Sequence, residues 1–275
     1  YLALVGLVGS LLLGAICVAT TVITLRPTGM GLDMVPLFSW SIVVAAGVWV
    51  LTLPALAANA ALILVDLKYG TPAQFGVRDG QWEQLGWIIT PPQAFAYLIP
   101  VLGIVGDVVT TFAKRRPAQR WTALVAIGAF GALSFGAYAQ KAFDPLAYRQ
   151  WIFVAQCALI LLPVLLFVAG VCTTLRHGVR SAASPLVLSV GALVLVLLGA
   201  LTSAAFGVSP LGVQTTPKAL IDGTPALAWP TSGAPVYAWG VFGLILAAGI
   251  AGGAAGAFHW SSKITGRQLP DSLGK

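Results

Sequence analysis

Two histidines, three cysteines and one acid set inside a long apolar run are the groups in this chain with the most chemical potential. Metal centres need imidazole, thiolate or carboxylate donors that converge on one point. Cys17, Cys157 and Cys172 each lie within an apolar run and their spacing matches no metal motif, so they read as small apolar packing residues. His177 and His259 fall at the ends of apolar runs, beside Arg176 and near Lys263, and read as interfacial residues rather than ligands. Asp107 sits in the stretch Gly106-Asp-Val-Val-Thr110, where an unpaired carboxylate is costly and often functional. The arginine-rich stretch that starts at Lys114 is close enough to pair with it. Asp107 is therefore expected to be ion-paired at the interface, with a proton-related role as the alternative. At the opposite helix end Lys141 and Asp144 stand together, where a lysine stem can lie along apolar surface and keep its charge in water.

The elements that must position these groups follow from composition. Of 275 residues, 58% are hydrophobic and 8% charged, against roughly 25% charged in a soluble domain. Water cannot be the main solvent of such a chain. Apolar stretches of about 20 residues or more span a bilayer as helix, and they lie near 1–24, 37–65, 85–112, 121–141, 151–175, 184–207 and 235–259. Backbone polar groups in lipid must pair within their own segment, and these runs are too long and too evenly apolar for barrel strands. The expected fold is all-α, a polytopic transmembrane bundle of about seven spans forming one domain over 1–275. With a helix already under way at Leu2 and no initiating Met, the chain reads as a piece of a longer protein.

The net charge of +7 is carried by short loops, with neither interleaved stacking aromatics nor a basic helix face, which argues against nucleic acid. Arg26, Lys114, Arg115, Arg116, Arg120, Arg176, Arg180, Lys263, Arg267 and Lys275 fall on one side of the expected topology. Lys68, Arg78, Lys141, Arg149 and Lys218 fall on the other. The side richer in basic residues faces the cytoplasm, which places the Tyr1 end outside and the Lys275 end inside. The Pro-, Gly- and Thr-rich segment 208–234 is then an extracytoplasmic loop. Small residues crowd the spans, and Gly252 and Gly256 are read as close packing rather than as a dimer signal. Pro54, Pro92, Pro100 and Pro163 interrupt spans and are expected to kink them.

Several runs carry a family resemblance. Val22-Ile-Thr-Leu-Arg-Pro-Thr-Gly-Met30, Pro36-Leu-Phe-Ser-Trp-Ser41 and Leu53-Pro-Ala-Leu-Ala57 resemble the fourth and fifth helices of cytochrome c oxidase subunit I and the stretch joining them. Trp82-Glu-Gln-Leu-Gly-Trp87 and Ile99-Pro-Val-Leu-Gly-Ile104 resemble its sixth helix, and His259-Trp-Ser-Ser-Lys-Ile-Thr-Gly-Arg267 resembles the signature after its tenth. The likeness is collinear over the whole chain and implies helices four to ten of a twelve-helix haem–copper oxidase fold. In that family it implies a low-spin haem, and a high-spin haem facing a copper held by three histidines, with oxygen reduction coupled to proton pumping.

At the aligned functional positions this sequence departs from the family. Pro91 stands at the first copper ligand, Gln93 at the proton-delivering glutamate and Phe95 at the cross-linked tyrosine. Gln140 and Lys141 stand at the adjacent histidine pair, Val168 near the proton-channel lysine, and Gly240 and Phe242 at the haem-ligand pair. His177 matches a non-ligand position. The expected function is a non-catalytic subunit I-like membrane protein with a structural or interaction role in a respiratory electron-transport complex, without a cofactor of its own. One alternative is part of an active terminal oxidase, with haem and copper held by ligands supplied elsewhere. Another is a small-molecule or ion transporter, which the scarcity of charges at membrane depth disfavours. Expected partners are the lipid bilayer and other subunits of the complex. The expected location is a bacterial-type plasma (inner) membrane.

Overall fold

The computed structural model describes residues 2–69, 91–114, 116–117, 119–135, 151–178, 183–213 and 241–266. Among them every regular element is helical. Helix α1, Leu2–Thr24, contains no charged residue and ends just before Arg26-Pro27, where proline cannot continue the ladder. Thr20, Thr21 and Thr24 turn their hydroxyls back onto carbonyls one turn earlier, so these three hydroxyls are satisfied within the helix. Gly29 takes φ +89°, a left-handed turn that glycine adopts without strain, and the chain folds back through a 3-10 turn at Leu32–Met34.

Helix α2, Leu37–Tyr69, starts after Pro36 and carries Pro54 inside it. Helix α3, Pro91–Phe112, opens on two prolines, whose fixed φ and missing N–H suit a first helical turn. Helix α4 is Arg120–Ser134. Helices α5, Trp151–Leu159, and α6, Leu161–His177, form one apolar rod with a break at Ile160. The break falls where Pro163 lacks the N–H that would bond the Leu159 carbonyl, while Ile160 keeps right-handed helical dihedrals. Helix α7, Ser184–Val213, and helix α8, Gly243–Thr265, complete the set.

Six of these rods are long and apolar enough to cross a membrane, where the sequence suggests seven spans. The difference lies in α4. Its 15 described residues reach roughly 22 Å at 1.5 Å per residue, short of a hydrocarbon core of about 30 Å. The remainder of the expected span, up to 141, lies outside the described residues.

Helix α3 is the axis of the bundle and meets α2, α4, α6, α7 and α8. It is buried over two-thirds of its apolar stretch (67%), against 11% for α1, which packs on α2. A mostly apolar sequence suits such a position, with Asp107, Thr110 and Thr111 kept to one face near its end. Phe95, Leu98, Ile99, Leu102 and Val105 of α3 join Ile127 and Phe130 of α4, Phe167 of α6, Val196 of α7 and Ala248 of α8 in one core. A second cluster, Val8 with Leu53, Leu56, Ala60 and Ile63, joins α1 to α2.

Glycine sets the spacing around α3. A Cβ at Gly103 would lie 2.7 Å from Phe38 Cα, and one at Gly106 would lie 2.6 Å from Leu37 Cδ1. On the other side, a Cβ at Gly252 would meet Val101 at 2.6 Å, and one at Gly256 would meet Trp260 at 2.9 Å and Ile104 at 3.3 Å. Gly252 and Gly256 therefore serve contact between α8 and α3 within the chain. Close backbone approach replaces the hydrophobic drive that is absent between helices in lipid.

Candidate functional site

Three helix ends converge at one end of the bundle: the start of α2 and the last turns of α3 and α8. They enclose an open pocket of about 440 Å³ lined by Pro36, Phe38, Ser39, Asp107, Thr110, Thr111, His259, Trp260 and Lys263. Its polar groups are laid down in chain order by short local patterns. On α3, Asp107, Thr110 and Thr111 are three and four residues apart and so share a face. On α8, His259 and Lys263 are four apart. The sequence suggests a span ending at 259, but α8 runs on to Thr265 and stops at Gly266, whose φ of +69° is the left-handed C-terminal stop that glycine supplies. That extension carries Lys263 onto the helix and makes it a neighbour of His259 on one face.

Among the described residues, Asp107 binds two backbone amides. Its Oδ1 accepts the Leu37 amide at 3.0 Å and its Oδ2 accepts the Phe38 amide at 3.2 Å. A helix starts with amides that have no partner within the helix and a partial positive charge. The carboxylate meets both needs for α2 from a neighbouring helix. Arg120 and Lys263 add favourable charge through space, but Arg120 spends its hydrogen bonds elsewhere. Its Nε donates to the Asp33 carbonyl at 2.7 Å and its Nη2 to the Val35 carbonyl, which ties the start of α4 to the segment before α2. Trp40 Nε1 donates to the Leu124 carbonyl at 3.0 Å and fastens α2 to α4 a turn further on.

The remaining groups of the pocket divide by polarity. Thr110 and Thr111 both donate their hydroxyl hydrogens to the Asp107 carbonyl, at 3.0 and 2.8 Å, and so present acceptor oxygens to the cavity. Lys263 Nζ lies 3.3 Å from His259 Nε2. An ammonium can only donate, so a charged Lys263 turns a hydrogen toward Nε2. Trp260 packs against Phe38 with ring centroids 4.7 Å apart, and His259 meets the edge of Phe112 at 6.1 Å. Acceptors thus collect on α3 and donors on α8, across one cavity.

Of the positions that the resemblance aligns with the family's functional residues, the structure describes the side chains of three, Phe95, Val168 and Phe242. Pro91 and Gln93 lie in the first turn of α3, with side chains outside the described residues, as are Gln140, Lys141 and Gly240 altogether. Phe95 is 2% exposed and packs against Phe130 at 6.3 Å between ring centroids. Phe242 is 38% exposed and Val168 packs beside the core. His177 is exposed at the end of α6. Cys157 is buried, while Cys17 and Cys172 are exposed on the outer face of the bundle. Among the described residues no three His, Cys, Asp or Glu side chains are placed to hold a metal ion. With two histidines in the whole chain, one exposed on α6 and one beside Lys263, these donors do not fit a haem–copper centre.

Sequence reasoning singled out Asp107 and His259 but not the pocket they share. Its signal was the placement of Thr110-Thr111 and Trp260-x-x-Lys263 at the ends of spans, which has meaning only once those ends are adjacent.

The profile of the family described as Cytochrome C and Quinol oxidase polypeptide I matches residues 1–219. Cytochrome c oxidase subunit 1 of Cereibacter sphaeroides is 27% identical over 272 residues, which is 97% of this chain and 45% of that protein. Cytochrome c oxidase subunit 1 of Corynebacterium glutamicum is 28% identical over 264 residues, 95% of this chain and 42% of that protein. The chain spans less than half the length of these curated relatives.

Proposed function

The chain belongs to the cytochrome c and quinol oxidase polypeptide I family, and from that premise we propose that it is a non-catalytic member with a scaffold or interaction role in a respiratory membrane complex. The observation that carries this reading is Phe95. Where the resemblance expects a tyrosine beside the metals, the ring lacks its hydroxyl and is sealed in the core against Phe130. A buried ring without a hydroxyl contributes packing and has no proton to give, which supports a structural role at this position. The donor chemistry agrees, since three histidines are needed at copper alone and the chain has two in all. The balance of basic loops supports a cytoplasmic Lys275 end and an outside Tyr1 end, in a bacterial-type plasma membrane. Partner subunits would meet the helix faces turned away from α3.

The visible absorption spectrum of the purified protein, with copper analysis, tests the reading. We expect no Soret or α-band of haem and no stoichiometric copper. Haem bands together with bound copper would instead support an active oxidase whose ligands come from outside this chain.

A further inference from the structure

The pocket between α2, α3 and α8 has a dipolar lining that the scaffold role does not use. Acceptors stand on α3: the Asp107 carboxylate and the Thr110 and Thr111 oxygens, whose own hydrogens are committed to the Asp107 carbonyl. Donors stand on α8. Lys263 Nζ has three hydrogens to give, and among the described residues it contacts His259 Nε2. Trp260 brings its indole to the same wall, and its ring with that of Phe38 forms an apolar floor. A simple anion would face the Asp107 carboxylate, and a simple cation would face Lys263. A group bearing both charges satisfies both walls.

The setting selects which zwitterion. The pocket lies where three apolar rods end, at the depth where a bilayer changes from hydrocarbon to headgroups and where tryptophan and lysine collect. We infer that this pocket is a binding site for the headgroup of a zwitterionic phospholipid with a primary ammonium, a phosphoethanolamine diester, its phosphate on Lys263 and Trp260 and its ammonium on Asp107, Thr110 and Thr111. Phosphate gains a charge-assisted hydrogen bond from lysine. A primary ammonium has three N–H donors to distribute among the α3 acceptors, whereas a trimethylated one has none. The acyl chains would leave the open side of the pocket along the apolar face of the bundle. Because Asp107 also holds the start of α2, an occupied pocket would brace the junction of the three helices.

The test is lipid retention by the full chain, purified in detergent and incubated with equal amounts of phosphatidylethanolamine, phosphatidylglycerol and phosphatidylcholine, and read by native mass spectrometry. Phosphatidylethanolamine should be retained over each of the others by roughly tenfold, the effect of one charge-assisted hydrogen bond. Lys263→Gln, at an exposed position, and Thr111→Val, which keeps the shape and removes an acceptor, should each lower that retention by a similar factor. O-phosphoethanolamine, the soluble headgroup, should compete only weakly. Equal retention of the three lipids, or variants that bind like the parent, would overturn the assignment. Binding of O-phosphoethanolamine as tight as that of the lipid would overturn its membrane source.

Discussion

The Asp107 carboxylate accepts two amide hydrogens at the start of α2, so Asp107→Asn exchanges one acceptor oxygen for an amide donor facing a donor. One hydrogen bond is lost, one N–H is left unpaired in a partly buried site, and the negative charge that offsets the α2 dipole disappears. A bond to a charged group contributes about 1.5–3 kcal/mol, and the dipole term adds about 0.3–1 kcal/mol. Thermal unfolding in detergent should fall measurably for Asp107→Asn while helix content at low temperature is kept. An unchanged midpoint would refute the capping role and return Asp107 to the ion pair suggested by the basic loop. Phe95 makes the complementary point at the same scale. Its chemistry is legible in the sequence as a departure from the family pattern, but its burial against Phe130 is a property of the packing.

Helix α3 is held to its neighbours at different distances, and glycine decides them. A methyl group at Gly103 would sit 2.7 Å from the Phe38 backbone, which cannot yield without moving α2. Gly103→Ala should therefore destabilise the bundle, by about 1–3 kcal/mol as overpacking does, and should disturb the pocket by shifting Phe38. Gly249 in α8 has open space where its Cβ would be. Gly249→Ala should be neutral or raise stability by about 0.5–1 kcal/mol, because alanine loses less backbone freedom in a helix. Denaturation in mild detergent reports both. If the two variants behaved alike, close α2–α3 contact would not be the device that sets the spacing. Both glycines look the same in a sequence with 31 of them; only the neighbouring backbone separates them.

For the whole molecule, the orientation proposed from loop charge predicts accessibility. With Cys17, Cys157 and Cys172 replaced by alanine, single cysteines introduced in 114–120 should resist an impermeant thiol reagent added outside intact cells. Cysteines in 208–234 should react with it. Labelling of the first set from outside would reverse the topology. The pocket of Asp107 and Lys263 belongs to the same end as 114–120, since Asp107 lies in the last part of the α3 span and Arg120 starts α4, so the same experiment assigns its side of the membrane.

What the sequence determined by itself was the class of solvent, the helical class and the family. Apolar run length is local information, fixed by the need of each segment in lipid to satisfy its own backbone, and it makes the all-helical, membrane-spanning class legible. The family runs, such as Pro36-Leu-Phe-Ser-Trp-Ser41, are likewise contiguous. Helix ends were less legible. The true stop of α8 at Gly266 depends on a single left-handed residue, and the hydropathy of 235–259 overlooked it. The partners of Asp107 could not be read at all, because they are backbone amides of Leu37 and Phe38, groups every residue carries. Only the close approach of α2 to α3, allowed by Gly103 and Gly106, selects those two amides. The pocket is decided in the same way: its acceptors and donors come from residues more than a hundred positions apart, and tertiary packing alone brings them to one cavity.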